Sequence, residues 1–266
     1  MLKEQEKTKI FLSDPQVLFR EGIHFILSGE DDFEVIGEAT GNEDTLARIE
    51  ANPPHIVILN IADKKLSGLE AVHLIKKQYP TVSAVLTIDD KDEAQLFEVI
   101  RGGASAYLTK DTDPERLLDT IRDVSQGGLP IVKELLMPAM AARVLAEFEN
   151  FKSLGESMGT LMAGLAPRET QILNSIAAGN DITPVAARLN MDEDSIRNIL
   201  KLVLNKLAAN DRTRAIIIAV QRSLSSMMAT AGRSGTATGE YLTQEEFARF
   251  KDSLAKRLRD VAGKAF

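Results

Sequence analysis

The chain has 266 residues, 44% of them hydrophobic and 27% charged, which fits globular folding into one or two domains plus connectors. It has no cysteine, so disulfides, a cysteine nucleophile and thiolate metal sites are excluded, and a reducing, cytoplasmic setting is expected. The formal net charge is −7, so any binding to nucleic acid has to come from a local basic face.

The amino-terminal part alternates strands and helices. KIFLS (9–13) is an apolar run that ends in small and acidic residues, and the next segment, to Gly29, has apolar residues at helical spacing. FEVIGEA (33–39) reads as a strand, and 42–52 as a helix stopped by Pro53 and Pro54. HIVILN (55–60) is a strand rich in β-branched residues, followed by the helix GLEAVHLIKKQY (68–79). The alternation repeats with VSAVLTI (82–88) and a helix to Gly103, then with ASAYLTK (104–110) and a helix to Gly128. Strands this apolar are buried on both faces, which predicts an α/β doubly wound, flavodoxin-like domain with a five-stranded parallel sheet. Function in such sheets sits beyond the carboxyl ends of the strands. Ser13, Asp14, Asn60, Thr87 and Lys110 stand there and are expected to meet at one crevice.

Residues 131–152 read as helix with a break at Pro138, and 153–164, with three glycines, as a joint. From Leu165 on the pattern is helical. TPVAARL and DEDSIRNILKLVLNKL, joined by a short turn, have the length and spacing of a helix-turn-helix, and DRTRAIIIAVQRSL (211–224) follows as a separate helix. Residues 225–239 are small, polar and aperiodic and read as a flexible linker. The tail, 240–263, reads as an amphipathic helix with a capping box from Thr243 to Glu246 and a stripe through Phe247, Phe250, Leu254, Leu258 and Val261. That stripe suits packing or a dimer face, and the tail's acidic residues oppose an anionic membrane surface. No run is apolar over enough residues to span a membrane, so no membrane partner is expected. The domain boundaries expected are 7–128, a helical linker 129–164, 165–224, a flexible linker 225–239 and the tail helix 240–263.

LSDPQVLFREG, VIGEA, GLEAV, RGGASAYLTKD, LLDTIRDVSQGG, LAPRETQIL and DRTRA occur in this order. In these landmarks the chain resembles response regulators of the NarL/LuxR type, over roughly residues 8–222. The resemblance implies a receiver domain and an all-α helix-turn-helix domain that binds double-stranded DNA. It also implies an aspartate that accepts phosphate at the end of the third strand, and an acid pair for magnesium after the first. A hydroxyl after the fourth strand and a lysine after the fifth complete the set. Thr87 and Lys110 match, as does Asp14 for the second acid; Ser13 replaces the first acid and Asn60 the acceptor. Tyr107 stands at the family's aromatic switch position, where a plain packing role is as good a reading.

An amide is a poor nucleophile, and magnesium prefers carboxylate oxygens. The expectation is therefore a pseudo-receiver that works without aspartyl phosphorylation, with Lys110 held by Asp14 and the Asn60 amide oxygen. Asp63, three residues on, is the weaker candidate for an alternative acceptor. In the matching recognition helix, Ser195, Arg197, Asn198 and Lys201 are the DNA-contact candidates, with Asp192 as N-cap. Residues 165–222 hold eight basic and six acidic side chains, so few phosphate contacts per protomer and a homodimer are expected. His24, His55 and His73 lack metal-ligand spacing, and neither an enzyme nor a cofactor is expected. The rival reading is an adaptor or antagonist that binds regulators or kinases and has lost useful DNA affinity. A protein partner or small ligand at the receiver is the expected input.

Overall fold

The structure is a computed structural model, and it describes residues 7–89, 92–158 and 162–231. Five strands, β1 (Thr8–Ser13), β2 (Phe33–Ala39), β3 (Ile56–Asn60), β4 (Ser83–Ile88) and β5 (Ala106–Thr109), form one sheet in the order β2-β1-β3-β4-β5. Every pairing is parallel, as apolar strands joined by helices require. β3 is central and buried along its whole length, while edge strand β5 alternates.

Helices α1 (Val17–Ser28) and α5 (Pro114–Ser125) cover one face of the sheet. Helices α2 (Asn42–Ile49), α3 (Gly68–Gln78) and α4 (Glu93–Gly102) cover the other. Local signals start and stop them. The Ser67 hydroxyl accepts from the Glu70 amide while the Glu70 carboxylate accepts from the Ser67 amide, a capping box for α3. Asp92 caps α4 through the amide of Gln95, and Asp113 caps α5 through that of Arg116. Gly103 ends α4 in the left-handed region, at φ 84°.

A 3-10 turn (Pro130–Leu136) leads into α6 (Pro138–Met158), so Pro138 opens a helix, where its missing amide hydrogen is harmless. Residues 153–158, expected to be a loose joint, continue α6. Then come α7 (Pro167–Ala177), α8 (Ile182–Leu189) and α9 (Glu193–Ala231). The turn between α8 and α9 has Asn190 at φ 53°, a conformation asparagine tolerates. Two expectations fail here. The recognition helix and DRTRAIIIAVQRSL form one continuous helix, and residues 225–231 belong to it rather than to a linker. The tail helix expected over 240–263 lies outside the described residues.

One apolar core runs from the α2–α4 face of the sheet, through Ile131, Leu135, Phe148 and Phe151, to Ile172, Ile196, Leu200 and Leu207. The two domains therefore share a core, with α4 and α9 packed together.

Candidate functional site

The parallel sheet brings Ser13, Asp14, Asn60 and Thr87 to one crevice at the strand ends, all at least 97% buried. Each polar atom has a defined partner. Asn60 Nδ2 donates to Asp14 Oδ2 at 2.8 Å, and Asn60 Oδ1 accepts from the Ala62 amide at 2.8 Å. Asp14 Oδ1 accepts from the Gln16 amide at 2.7 Å. The Thr87 hydroxyl lies 3.3 Å from Asp14 Oδ2 and 3.4 Å from the Leu59 carbonyl oxygen. Arg20 steadies the same corner, donating to the Asp14 carbonyl at 2.7 Å and to Glu38 at 2.8 Å. Burial pushes Glu38 upward, but hydrogen bonds and charge from His24 and Arg20 outweigh it and hold its carboxyl below the usual range.

Lys110 reaches the crevice, but its main partner is Asp89 at 2.8 Å; Asp14 Oδ2 is 3.9 Å away. It does not meet the Asn60 amide oxygen, which the Ala62 amide occupies. That expectation is corrected: a carboxylate at the end of β4 outcompetes a neutral amide for an ammonium.

Sequence reasoning missed Asn42, which is completely buried at the start of α2. Its Oδ1 accepts from the Ser13 hydroxyl at 3.0 Å, and its Nδ2 donates to the carbonyls of Asn60 at 2.8 Å and Leu66 at 2.9 Å. Asn42 thus ties β1, β3 and the following loop together. In the sequence it is only an asparagine in a helix's first turn, with no spacing to mark it.

Asp63 is a structural acid. Its carboxylate accepts from the backbone amides of Asn42 at 2.9 Å, Lys65 at 2.8 Å and Leu66 at 3.3 Å. Burial raises its pKa, but these bonds and the nearby Lys65 charge outweigh it and hold the carboxyl below its ordinary value. Tyr107 is half-buried and donates from its hydroxyl to Glu134 Oε1 at 3.1 Å, linking β5 to the 3-10 turn between the domains.

At the second candidate site, the Asp192 carboxylate accepts from the Ser195 amide at 2.6 Å and the Ser195 hydroxyl at 2.9 Å. These bonds hold Asp192 below the usual carboxylate range and engage Ser195 in capping α9. Asn198 is exposed, and Arg197 and Lys201 are half-exposed. Glu193 sits between Arg197, at 3.5 Å, and the Thr183 hydroxyl, at 2.5 Å. Lys206 is tied to Glu169 at 2.8 Å and is not free for phosphate.

Two family models match. Residues 10–122 match the response regulator receiver domain, and residues 163–219 match the bacterial regulatory proteins of the luxR family. The transcriptional regulatory protein YdfI of Bacillus subtilis is 30% identical over 217 residues, covering 81% of this chain and 97% of that protein. The transcriptional regulatory protein YxjL of the same organism, itself uncharacterized, is 28% identical, covering 83% of this chain and 98% of that protein. Among solved structures, a LuxR-family two-component response regulator from Aurantimonas is 22% identical with a TM-score of 0.45, covering 47% of this chain and 89% of that one.

Proposed function

The chain belongs to the LuxR-family response regulators, DNA-binding transcriptional regulators rather than enzymes, and we propose that it works without accepting phosphate on its receiver. The observation that carries this reading is the amide of Asn60, which gives its nitrogen to Asp14 and its oxygen to the Ala62 backbone. Phosphoryl transfer to a receiver needs an anionic oxygen in line and a cation to neutralise the incoming charge. Asn60 is neutral and both ends of its amide are engaged. The crevice does not fit magnesium either. Its one fully buried carboxylate, Asp14, already accepts hydrogen bonds on both oxygens, and Ser13 supplies a hydroxyl that donates to Asn42. Asp63 is no substitute acceptor, because three backbone amides occupy its oxygens.

DNA recognition is assigned to Arg197, Asn198 and Lys201 at the exposed start of α9. Arginine and asparagine suit base edges and lysine suits phosphate. Ser195 supports them by fixing the helix start. The protein acts in the cytoplasm as a homodimer, and its input is protein level or a partner at the receiver rather than a phosphodonor. In the test, the full chain is titrated with selected duplex DNA by fluorescence anisotropy, with and without acetyl phosphate, beside Arg197→Ala and Lys201→Ala. Tight binding that ignores the donor and weakens by about 1–3 kcal/mol for Arg197→Ala supports the reading. Donor-dependent binding, or radiolabel that enters wild type but not Asp63→Ala, sinks it.

One observation favours a second reading. Glu193 lies against Arg197 and shares the start of α9 with Asp192 and Asp194, so this helix presents acid where the duplex presents phosphate. Under that reading the chain is an adaptor or antagonist, and binding to every duplex stays weak and insensitive to both substitutions.

A further inference from the structure

Charged side chains line the seam between the receiver and α9, and their pairing is incomplete. Where α3 meets α9, His73 Nε2 lies 3.3 Å from Asp211 Oδ2. Arg101 of α4 reaches Asp211 at 3.0 Å and Glu147 of α6 at 3.5 Å, and it also pairs with Glu98. Arg214 holds Asp211 and Glu147, both at 2.5 Å. These three acids are thus engaged by two arginines.

Lys76 and Arg212 are left over. Lys76 stands three residues after His73, on the same side of α3, and Arg212 follows Asp211 on α9. Both are half-buried. Among the described residues neither side chain has a hydrogen bond or an ion pair. Burial holds both below their usual pKa range; the Arg212 charge adds to this for Lys76, and Asp211 offsets it only in part for Arg212. Two cations held together away from water cost stability, and a neutral side chain at either position would remove that cost. An anion between them reverses the sign. A guanidinium offers a planar fork and an ammonium a point charge, and both are phosphate binders.

We infer that Lys76 and Arg212 form a site for a phosphomonoester carried by a small molecule, with one cation supplied by each domain. The site is separate from the crevice at the strand ends, which is built from Ser13, Asp14, Asn60 and Thr87. A phosphomonoester carries close to two negative charges at neutral pH, enough to meet both cations at once. A duplex phosphate suits the site less, because it would have to enter the seam with its strand, whereas a small molecule enters alone. A ligand that joins Lys76 of the receiver to Arg212 of α9 binds the docked arrangement alone and therefore favours it. As an input to a regulator the site rests on the DNA-binding reading; as a binding site it does not.

The test is calorimetric titration of the full chain with glycerol 2-phosphate and with AMP at fixed ionic strength, beside Lys76→Gln, Arg212→Gln and, as control, Lys133→Gln at an exposed position. Wild type and the control should bind at least one of the two compounds, one molecule per chain, and glycerol and adenosine should not bind. Each of the other two variants should lower the affinity about tenfold or more. Without ligand, Lys76→Gln and Arg212→Gln should melt at or above the wild-type temperature, which separates loss of the site from loss of the fold. Ligand should slow amide exchange in α3 and at 208–214 in wild type and in neither variant. Absence of binding by wild type to both compounds overturns the proposal. So does binding that survives both substitutions, or a variant that melts clearly below wild type, since its cation would then already have a partner. Weaker duplex binding in both variants, with the compounds displaced by DNA, would assign the cations to the duplex backbone, against the proposal. A chain that binds no duplex removes the DNA reading, while the titrations still decide the site.

Discussion

Asn60 spends its amide on a charge and a backbone hydrogen, and a carboxylate in its place could do only half of that. In Asn60→Asp the atom facing Asp14 Oδ2 at 2.8 Å becomes an acceptor facing an acceptor. Two carboxylates this close cannot both ionise, so one folded-state pKa rises above its unfolded value. A raised folded pKa gives stability below the unfolded value that is lost as pH rises through the folded one. The variant should match wild type in mild acid and fall below it by about 1–3 kcal/mol near neutrality, read from urea melts at several pH values. Equal stability at neutral pH would show that the crevice relaxes around a second acid. Asp63 has the opposite sign. Its folded pKa is depressed, so its contribution is present above the ordinary aspartate value and fades as pH falls through the depressed one. Asp63→Ala strands three backbone amides and should lower stability by about 1–3 kcal/mol near neutrality, with a smaller difference in acid.

At the scale of elements, α9 is the informative one. Asparagine and aspartate commonly bond nearby backbone at helix ends, and Asn210 and Asp211 stand where the two helices expected from the sequence meet. Here their side chains are engaged elsewhere. Asn210 is buried, and it accepts from the Ala163 amide and donates to the Ala163 carbonyl, both at 2.8 Å. Asp211 meets Arg101 at 3.0 Å and Arg214 at 2.5 Å, and His73 Nε2 lies 3.3 Å away without hydrogen-bond alignment. Burial raises Asp211, but the His73 ring and the two arginines outweigh it and hold the carboxyl low. With both side chains occupied, neither competes for the helix backbone and α9 continues. Asn210→Ala should lower stability by about 1–3 kcal/mol and speed amide exchange at 162–166; unchanged exchange there would deny the clamp. This also marks the limit of what could be read from sequence. Strand order and the crevice at the strand ends were legible, because apolar runs and landmark spacings are local signals. The fused helix, the Asn42 hub and the Lys110–Asp89 pair were not, because each depends on a partner far along the chain.

At the scale of the whole molecule, the receiver packs on α9 next to the DNA-reading face proposed for it. Lys201 and Ala208 are seven residues apart, so they share a side of α9 about 10 Å from each other. At Ala208 the receiver closes in: a Cβ on Gly103 would stand 2.9 Å from the Ala208 Cβ. The interface includes an unfavourable pair as well. Burial, with the Arg212 charge second, depresses Lys76 below its usual pKa. Arg101 counters this by bridging to Asp211 and, at 3.5 Å, to Glu147. If a duplex seated on Arg197 and Lys201 also reaches Ala208, the docked receiver and DNA compete for the same side of α9. Under that competition, binding would report an equilibrium between docked and free arrangements, shifted by DNA toward the free one. Arg101→Ala weakens docking without touching a DNA-contact candidate. It should tighten DNA binding several-fold and steepen its salt dependence, because more phosphates become reachable. Anisotropy titrations at several salt concentrations measure both quantities, with Arg122→Ala as control, since Arg122 pairs with Glu30 and Asp32 across the sheet from α9. Unchanged affinity in Arg101→Ala, together with faster amide exchange at the α4–α9 contact, would mean that the receiver undocks without uncovering anything the duplex needs.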